Sequence, residues 1–496
     1  MKENNKDAES KSLLQGVEGK ARHSGGWGVF GVVLLVVVLL ALLFYFLLTN
    51  PTRSFQASNP GMDNRGKGIT SSMVIKIGEF FQKYTDKESD LKESWPHFRG
   101  SGYDNIYKTQ RRLASSFKGK AGEVLWSKKL GEGHAGAVIF DGKVYLLDYD
   151  ETSRSDMLHC YDLKSGEELW RRWYKVPVKR NHGMSRTVPA VTDDFILTVG
   201  PRCHTMCLDR KTGNLLWSID IEKEYESETP LWYTGQCPLI DNGVAVLATG
   251  GKALMIGVDC KTGEKLWEIP NPDGWKMSHS SVMPFTFNRK KMYVYCAIGG
   301  VIGVSSEGDD RGTLLWKEPR WNTNVIAPSP VCMPDGKIFL TAGYGAGSMV
   351  LQLKESAGKY STDVLQQYKP KDGLACEQQT PIFWQNRLFG IMPKDGGVHR
   401  NQFVCVDPND CTKILWSSEE TRLGLGPYIW ADDKFYILND DGTLFIVQAS
   451  TKGFKILDSK QLIPDGHDAW APIALADGYM VLRDAETMVC ININNP

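Results

Sequence analysis

Four of the nine histidines, His134, His182, His279 and His467, stand in the same kind of place. Each lies in a short polar segment that runs into a brief apolar stretch, in "GEGHAG", "KRNHGMSRT", "KMSHSS" and "GHDAWAP". Comparable segments carry Arg186, Trp232, Tyr233, Gln236, Asn324, Glu377, Gln378, Gln379, Tyr428, Asp468 and Trp470. Neutral imidazoles bind transition metals, which makes His134, His182 and His279 one candidate ligand set. Glu377, Asn324 and Asp468 supply oxygens of the kind calcium takes, but histidine and glutamine outnumber them. Arg186 closes a basic stretch, residues 171–186, that suits an acidic sugar or peptide. The plainer reading is that all these groups satisfy turn backbone and neighbouring loops.

No recognised catalytic pattern accompanies them. The chain has no G-x-S-x-G elbow, no phosphate-binding loop and no H-E-x-x-H. Ser280 beside His279 is weak support for nucleophilic chemistry, because neighbours on an extended chain point to opposite sides. Eleven cysteines are present. Cys160, Cys207, Cys405 and Cys490 fall at equivalent places where a small apolar residue is wanted, so buried thiols are expected. Neither Cys203/Cys207 nor Cys405/Cys411 has the spacing of a zinc pair. One or two disulfides are compatible with an extracytoplasmic chain, but the sequence does not assign them.

The segments recur because the chain repeats. Trp126, Trp170, Trp217, Trp267, Trp316 and Trp416 each end a phrase such as "DRKTGNLLW", at steps of 44, 47, 50, 49 and 100 residues. The last step is two periods, so a copy without tryptophan ends near Leu365. Each unit reads as four short strands, as in "TVPAV", "FILTVG", "CHTMCLD" and "LLWSI", with a glycine in the third turn. This period and pattern predict propeller blades. Trp126 belongs to an outer strand with no inner strands before it, and the C-terminal "APIALADGYMVLRDAETMVCIN" supplies inner strands with none after them. Joined, they make an eighth blade and close the ring. The candidate residues then converge on one mouth of the central channel, where ligands bind propellers and other concave sites. The tryptophans are packing residues, filling the wedge between blades.

Ahead of the repeats, Trp27–Thr49 is uncharged and long enough to span a bilayer. Its apolar core is too long for a signal peptide, and no cleavage site or lipid-anchor cysteine follows, so it reads as a signal-anchor. Lys2, Lys6, Lys11, Lys20 and Arg22 precede it, which puts residues 1–26 in the cytoplasm and the propeller outside it. Residues 50–94 read as a polar linker and a short amphipathic helix, with Val74, Ile77, Phe80, Phe81 and Tyr84 at helical spacing. The propeller is expected over residues 95–496. With 58 basic and 58 acidic residues, nothing points to nucleic acid. The basic stretch 171–186 and the acidic 219–232, with Glu222, Glu224, Glu226 and Glu228, are expected to pair across the rim.

The phrase D-x-x-T-G-x-x-L-W resembles the repeat of pyrroloquinoline quinone (PQQ) enzymes and of BamB-like propellers, and "WPHFRGSG" (Trp95–Gly102) resembles the entry segment of a bacterial PQQ-like subfamily. The resemblance implies an all-β, eight-bladed propeller with velcro closure, here preceded by one N-terminal transmembrane helix, in a bacterial cell envelope on the periplasmic side of the inner membrane. It raises PQQ or a metal ion as cofactor. PQQ dehydrogenases carry a calcium site, a carboxylate base and an adjacent cysteine pair, and this chain has no Cys-Cys dipeptide. No cofactor is therefore assigned. The expected role is a membrane-anchored binding or assembly module with a protein or polar small-molecule ligand; the alternative is a PQQ- or metal-dependent quinoprotein oxidoreductase.

Overall fold

The computed structural model describes residues 25–49 and 74–495. The expected basic tail and most of the linker lie outside the described residues. Gly25–Thr49 is one uncharged helix. At 1.5 Å per residue it is about 37 Å long, and it is long and apolar enough to cross a membrane. The remaining described residues, from Val74 on, form the second unit.

That unit is an eight-bladed propeller built from eight sheets, antiparallel except where Ile106–Tyr107 adds parallel to blade 7. Blade 1 comprises Val138–Phe140, Lys143–Asp150, Ser155–Asp162 and Glu168–Lys175. Blades 2 to 7 follow, with innermost strands Ala190–Val191, Leu239–Asp241, Met283–Phe287, Val331–Cys332, Ile382–Trp384 and Tyr428–Ala431. Blade 8 joins Ala474–Ala476, Tyr479–Arg483 and Thr487–Asn492 to the early strand Glu123–Lys129, with Trp126 opposite Cys490. Most middle-strand residues are buried, as in Ser155–Asp162 and Lys434–Leu438, because each blade is packed on both faces by its neighbours.

The repeated L-W pair has a defined geometry. In blade 2 Cys207 faces Trp217 and Leu208 faces Leu215, which leaves Leu216 as the extra residue of a β-bulge. The same register shift occurs in every blade. The bulge turns the following tryptophan onto the next blade, where it meets the turn glycine. A Cβ on Gly166 would lie 2.5 Å from the Trp126 ring, and one on Gly263 would lie 2.8 Å from Trp217. Both glycines also have positive φ, so turn conformation and close packing select glycine together. Two blades lack the tryptophan: Asp458 takes that register in blade 7 and Gln366 in blade 5. The Gln366 side chain bonds Asn409 O at 3.0 Å and the Cys411 N–H at 2.9 Å, tying blade 5 to blade 6 with an amide instead of an indole.

Where a short helix is expected, the structure has a strand. Phe80–Lys83 adds antiparallel to the outer edge of blade 1, with Phe80 opposite Trp173 and Lys83 opposite Trp170. Successive phenylalanines go to opposite faces and each meets an aromatic: Phe80 stacks on Trp173 at 5.4 Å, and Phe81 lies 5.8 Å from Trp170. Helical spacing of apolar residues in a five-residue set cannot outweigh an open sheet edge that offers unpaired backbone groups. In consequence Leu169 is 3% exposed, whereas its equivalents Leu216 and Leu266 are 39% and 48% exposed.

Residues 93–114 seal one end of the channel. Trp95 exchanges backbone hydrogen bonds with Ile139 of blade 1, and Val191 of blade 2 donates to Pro96 O at 2.8 Å. Asn105 O accepts from Trp430 of blade 7, and Glu93 accepts from the Asp477 N–H of blade 8 at 2.9 Å. Arg99 reaches in among the innermost strands and donates to Thr380 O and Pro381 O of blade 6, both at 3.1 Å. His97 stacks on Tyr103 at 3.8 Å. The turns that join first and second strands surround this sealed end.

Candidate functional site

The open mouth begins at a belt of hydrogen bonds around the channel. Val188 N–H donates to Cys237 Sγ at 3.3 Å, Cys237 N–H to Ser281 Oγ at 2.9 Å, Ser281 N–H to Ser329 Oγ at 3.0 Å, and Ser329 N–H to Thr380 Oγ1 at 2.9 Å. Each link crosses from one blade to the next, so the belt fixes where the segments above it emerge. All five positions precede a proline or valine that leads into an innermost strand; four of them carry a small hydroxyl or thiol, which fits there because a backbone N–H of the preceding blade needs an acceptor. Sequence reasoning missed the belt, although the recurring small-residue–proline pair was its signal.

Two aromatic clusters stand above the belt. His134, His182 and Trp470, from the entries to blades 1, 2 and 8, have ring centroids 5.8 Å (His134–His182), 4.9 Å (His134–Trp470) and 5.3 Å (His182–Trp470) apart. Trp232 stacks on His279 at 6.2 Å and on Tyr344 at 5.7 Å, joining blades 3, 4 and 5. Arg186 ties the two clusters together, with Nε donating to Trp232 O at 2.6 Å and another guanidinium nitrogen donating to His182 O. Glycines lie flat against the rings: a Cβ on Gly183 would stand 3.0 Å from His134 Nε2, and one on Gly235 2.9 Å from His279 Nδ1.

Burial, and then the Arg186 charge, hold both imidazoles neutral. His134 is pushed well below the usual histidine range, and His279 down to about 3. Across the mouth the carboxylates respond the other way. Burial raises Glu377, with Asp395 and Asp440 adding repulsion and Lys394 opposing it. Asp440 is raised chiefly by burial, while its Oδ1 accepts from Trp470 Nε1 at 2.8 Å and from Leu425 N–H at 2.7 Å. The mouth thus gathers a cation, neutral imidazoles, carboxylates and aromatic faces, with Asp440 bonded to Trp470 of the first cluster.

Some predicted residues go elsewhere. Gln236 is buried, and both ends of its amide bond Ala248, Nε2 to O at 2.9 Å and Oε1 from N–H at 3.0 Å. Its polarity is spent on the backbone. Tyr428 is fully buried inside blade 7. His467 is exposed beside Asp468, 3.5 Å from its carboxylate, outside both clusters. Asn324 is exposed and Gln378 half-buried. Gln379 Nε2 donates to Trp470 O at 3.1 Å and Leu425 O at 3.3 Å, bracing blade 8 against blade 6. Tyr344, Asp440, Lys394 and Asp395 come from loops between second and third strands and were not singled out in the sequence. The acidic rim stretch pairs locally, Glu222 with Arg202, Glu226 with Lys252 and Glu228 with Lys276, while Arg180 of the basic stretch meets Glu132.

No three His, Cys, Asp or Glu side chains among the described residues are grouped to hold a metal ion. His279 belongs to a different aromatic cluster from His134 and His182, so the three do not form the ligand set their positions suggested. The side chains present also fail to fit PQQ with calcium: the adjacent cysteine pair is missing, and no three acidic side chains among the described residues are grouped as a calcium shell needs.

Comparison with known proteins agrees with the repeat. A family model described as "Outer membrane protein assembly factor BamB" matches residues 154–375. The quinohemoprotein alcohol dehydrogenase ADH-IIG of Pseudomonas putida is 27% identical over 201 residues, 38% of this chain, and the match spans only 26% of that enzyme. Among solved structures, a europium-containing methanol dehydrogenase superposes with TM-score 0.57 at 11% identity, over 81% of this chain and 98% of its own. The Pseudomonas putida ADHIIG structure superposes with TM-score 0.56 at 11% identity, over 81% of this chain and 80% of its own. These two likenesses concern the fold alone. In its repeated phrase, in the family-model match over residues 154–375 and in its eight-bladed ring, the chain is similar to PQQ-like β-propeller repeat proteins.

Proposed function

We propose that this chain is a membrane-anchored propeller whose head lies outside the cytoplasm and acts as a binding or assembly module, taking a polar ligand or a protein partner at its open mouth. The observation that carries the reading is the difference between the two ends of the channel. One is sealed by residues 93–114, bonded to the innermost strands. The other presents Trp232, Tyr344 and Trp470 together with Arg186, two imidazoles and two carboxylates. An anionic group suits the Arg186 side, and hydroxyl or amine donors suit Glu377 and Asp440. Aromatic faces suit a sugar ring or an aromatic side chain. The assembly factor named by the matching family model supports a protein partner. Lysines and arginine ahead of the helix support a cytoplasmic N-terminus.

The test uses the full chain in its own membrane. A photo-reactive residue in place of Tyr344 is expected to yield one defined adduct, and the same probe in place of the exposed Lys211, in the third turn of blade 2, none. Replacing His182 and His279 together by alanine should weaken the adduct with little change in melting temperature. A reporter that works only outside the cytoplasm should be active when fused after Pro496. The rival oxidoreductase reading is reached instead if the purified chain carries stoichiometric quinone absorbance or bound metal and reduces a dye on addition of an alcohol.

A further inference from the structure

Blade 2 and blade 3 meet at two cysteines. In the repeat, the third-strand residue opposite the tryptophan and the tryptophan itself both reach the same backbone carbonyl of the next blade. Between blades 8 and 1, Cys490 Sγ lies 3.7 Å and Trp126 Nε1 2.9 Å from Leu163 O. Between blades 2 and 3, Cys207 Sγ lies 3.3 Å and Trp217 Nε1 2.9 Å from Cys260 O. The carbonyl-bearing position is marked in blades 1, 2, 3 and 7 by its N–H bond to the first turn: Leu163 to Gly142, Arg210 to Asp194, Cys260 to Gly243 and Ala449 to Asp433. Third-strand cysteines occur in blades 1, 2, 6 and 8. Only at the junction of blades 2 and 3 does a third-strand cysteine face a cysteine at the carbonyl position. Both are fully buried in one apolar cluster, and the neighbouring Cys260 together with burial pushes the Cys207 thiol up.

We propose that Cys207 and Cys260 are a disulfide-forming pair that clasps blade 2 to blade 3 when the propeller folds in an oxidising compartment. The proposal rests on the extracytoplasmic reading above, since thiol oxidation needs such a compartment. One thiolate attacks the disulfide of a glutathione or protein oxidant and releases one thiol; the second cysteine then attacks the mixed disulfide and releases the other. Two protons and two electrons pass from the pair to the oxidant. Because both sulfurs end fully buried, the exchange precedes packing of blade 3 on blade 2. The Trp217–Cys260 bond is to a backbone oxygen and survives oxidation.

Two measurements on the full chain separate this from the localisation it rests on. In the first, membranes are quenched in acid, denatured and alkylated without reductant, and peptides are mapped by mass spectrometry. A Cys207–Cys260 linked peptide is expected, with the other nine of the eleven cysteines alkylated. In the second, the chain is purified under reductant, unfolded in urea and refolded in a glutathione redox buffer. The same link is expected, and C207S or C260S should each abolish it without creating another. A link that forms in the redox buffer but not in cells, together with a C-terminal reporter active only in the cytoplasm, refutes the localisation and leaves the pair standing. No link in the redox buffer, links scattered over other cysteines, or no link in cells whose reporter is extracytoplasmic each overturns the proposal.

Discussion

Asp156 is fully buried, where one carboxylate oxygen accepts from the Tyr174 hydroxyl at 2.9 Å and the other has no hydrogen-bond partner among the described residues. Desolvation pushes its carboxyl up to about 7, so the folded chain holds a proton there that the unfolded chain gives up near 4. The contribution to stability is complete below pH 4 and is lost as pH rises through 7. Asp156→Asn, which mimics the protonated form, should match the parent near pH 4 and exceed it by about 2–4 kcal/mol above pH 7 in urea titrations. A second comparison isolates the tryptophan–glycine contact. Gly166 and Gly243 both have positive φ, but a Cβ on Gly166 would meet Trp126, and one on Gly243 nothing within 4 Å. Gly243→Ala should cost about 1 kcal/mol and Gly166→Ala about 2–4 kcal/mol, with the excess removed in a Trp126→Ala background. The residues of the mouth were only partly legible at this scale. His134, His182, Trp232 and Trp470 could be found because a recurring position marks them; Gln236 shares that position, and its amide turns to Ala248. Tyr344 and Asp440 were missed because loops between second and third strands have no repeated phrase to align.

The blade as an element was legible because its signals are local. A turn glycine, a bulge leucine and a tryptophan lie within a few residues of one another and recur, so blade number and the composite eighth blade follow from counting. The edge strand was not legible, because what decides Phe80–Lys83 is not its own pattern but the vacant outer edge of blade 1, formed by Glu168–Lys175. Phe81 fills the seam beyond that edge: it packs on Trp170, would collide with a Cβ on Gly213 at 2.8 Å, and lies under the Arg172 guanidinium at 4.7 Å. Phe81→Ala should therefore destabilise the chain by about 1–3 kcal/mol, the range for a half-buried aromatic. Hydrogen exchange should quicken in Phe80–Lys83 and in the facing strand Glu168–Lys175, and not in blades 3 to 7. Uniform acceleration would mean that the strand is integral to the ring rather than an addition to one blade.

At the scale of the whole molecule, stability depends on a few contacts between distant parts of the chain. Each blade packs only on its neighbours, so a ring with one blade missing exposes two blade faces and an unpaired edge. The joint is made late in the sequence: Glu123–Lys129 waits for Thr487–Asn492, and Glu93 bonds the Asp477 N–H across 384 residues. The sealed end depends on the same joint, since Arg111 pairs with Asp477 at 2.7 Å and Tyr107 bonds Glu93. Removing residues 471–496 takes away three strands of blade 8 and two anchors of the segment that closes the channel. The truncated chain is expected to lose its monomeric species in size-exclusion chromatography and to expose Trp126, which is 8% exposed in the intact ring, to a fluorescence quencher. Point disruption of the same joint should act in the same direction but more weakly, because Val489→Asp leaves the backbone ladder in place. A monomeric truncation that melts in one transition, with Trp126 still shielded, would mean that seven blades close without the eighth.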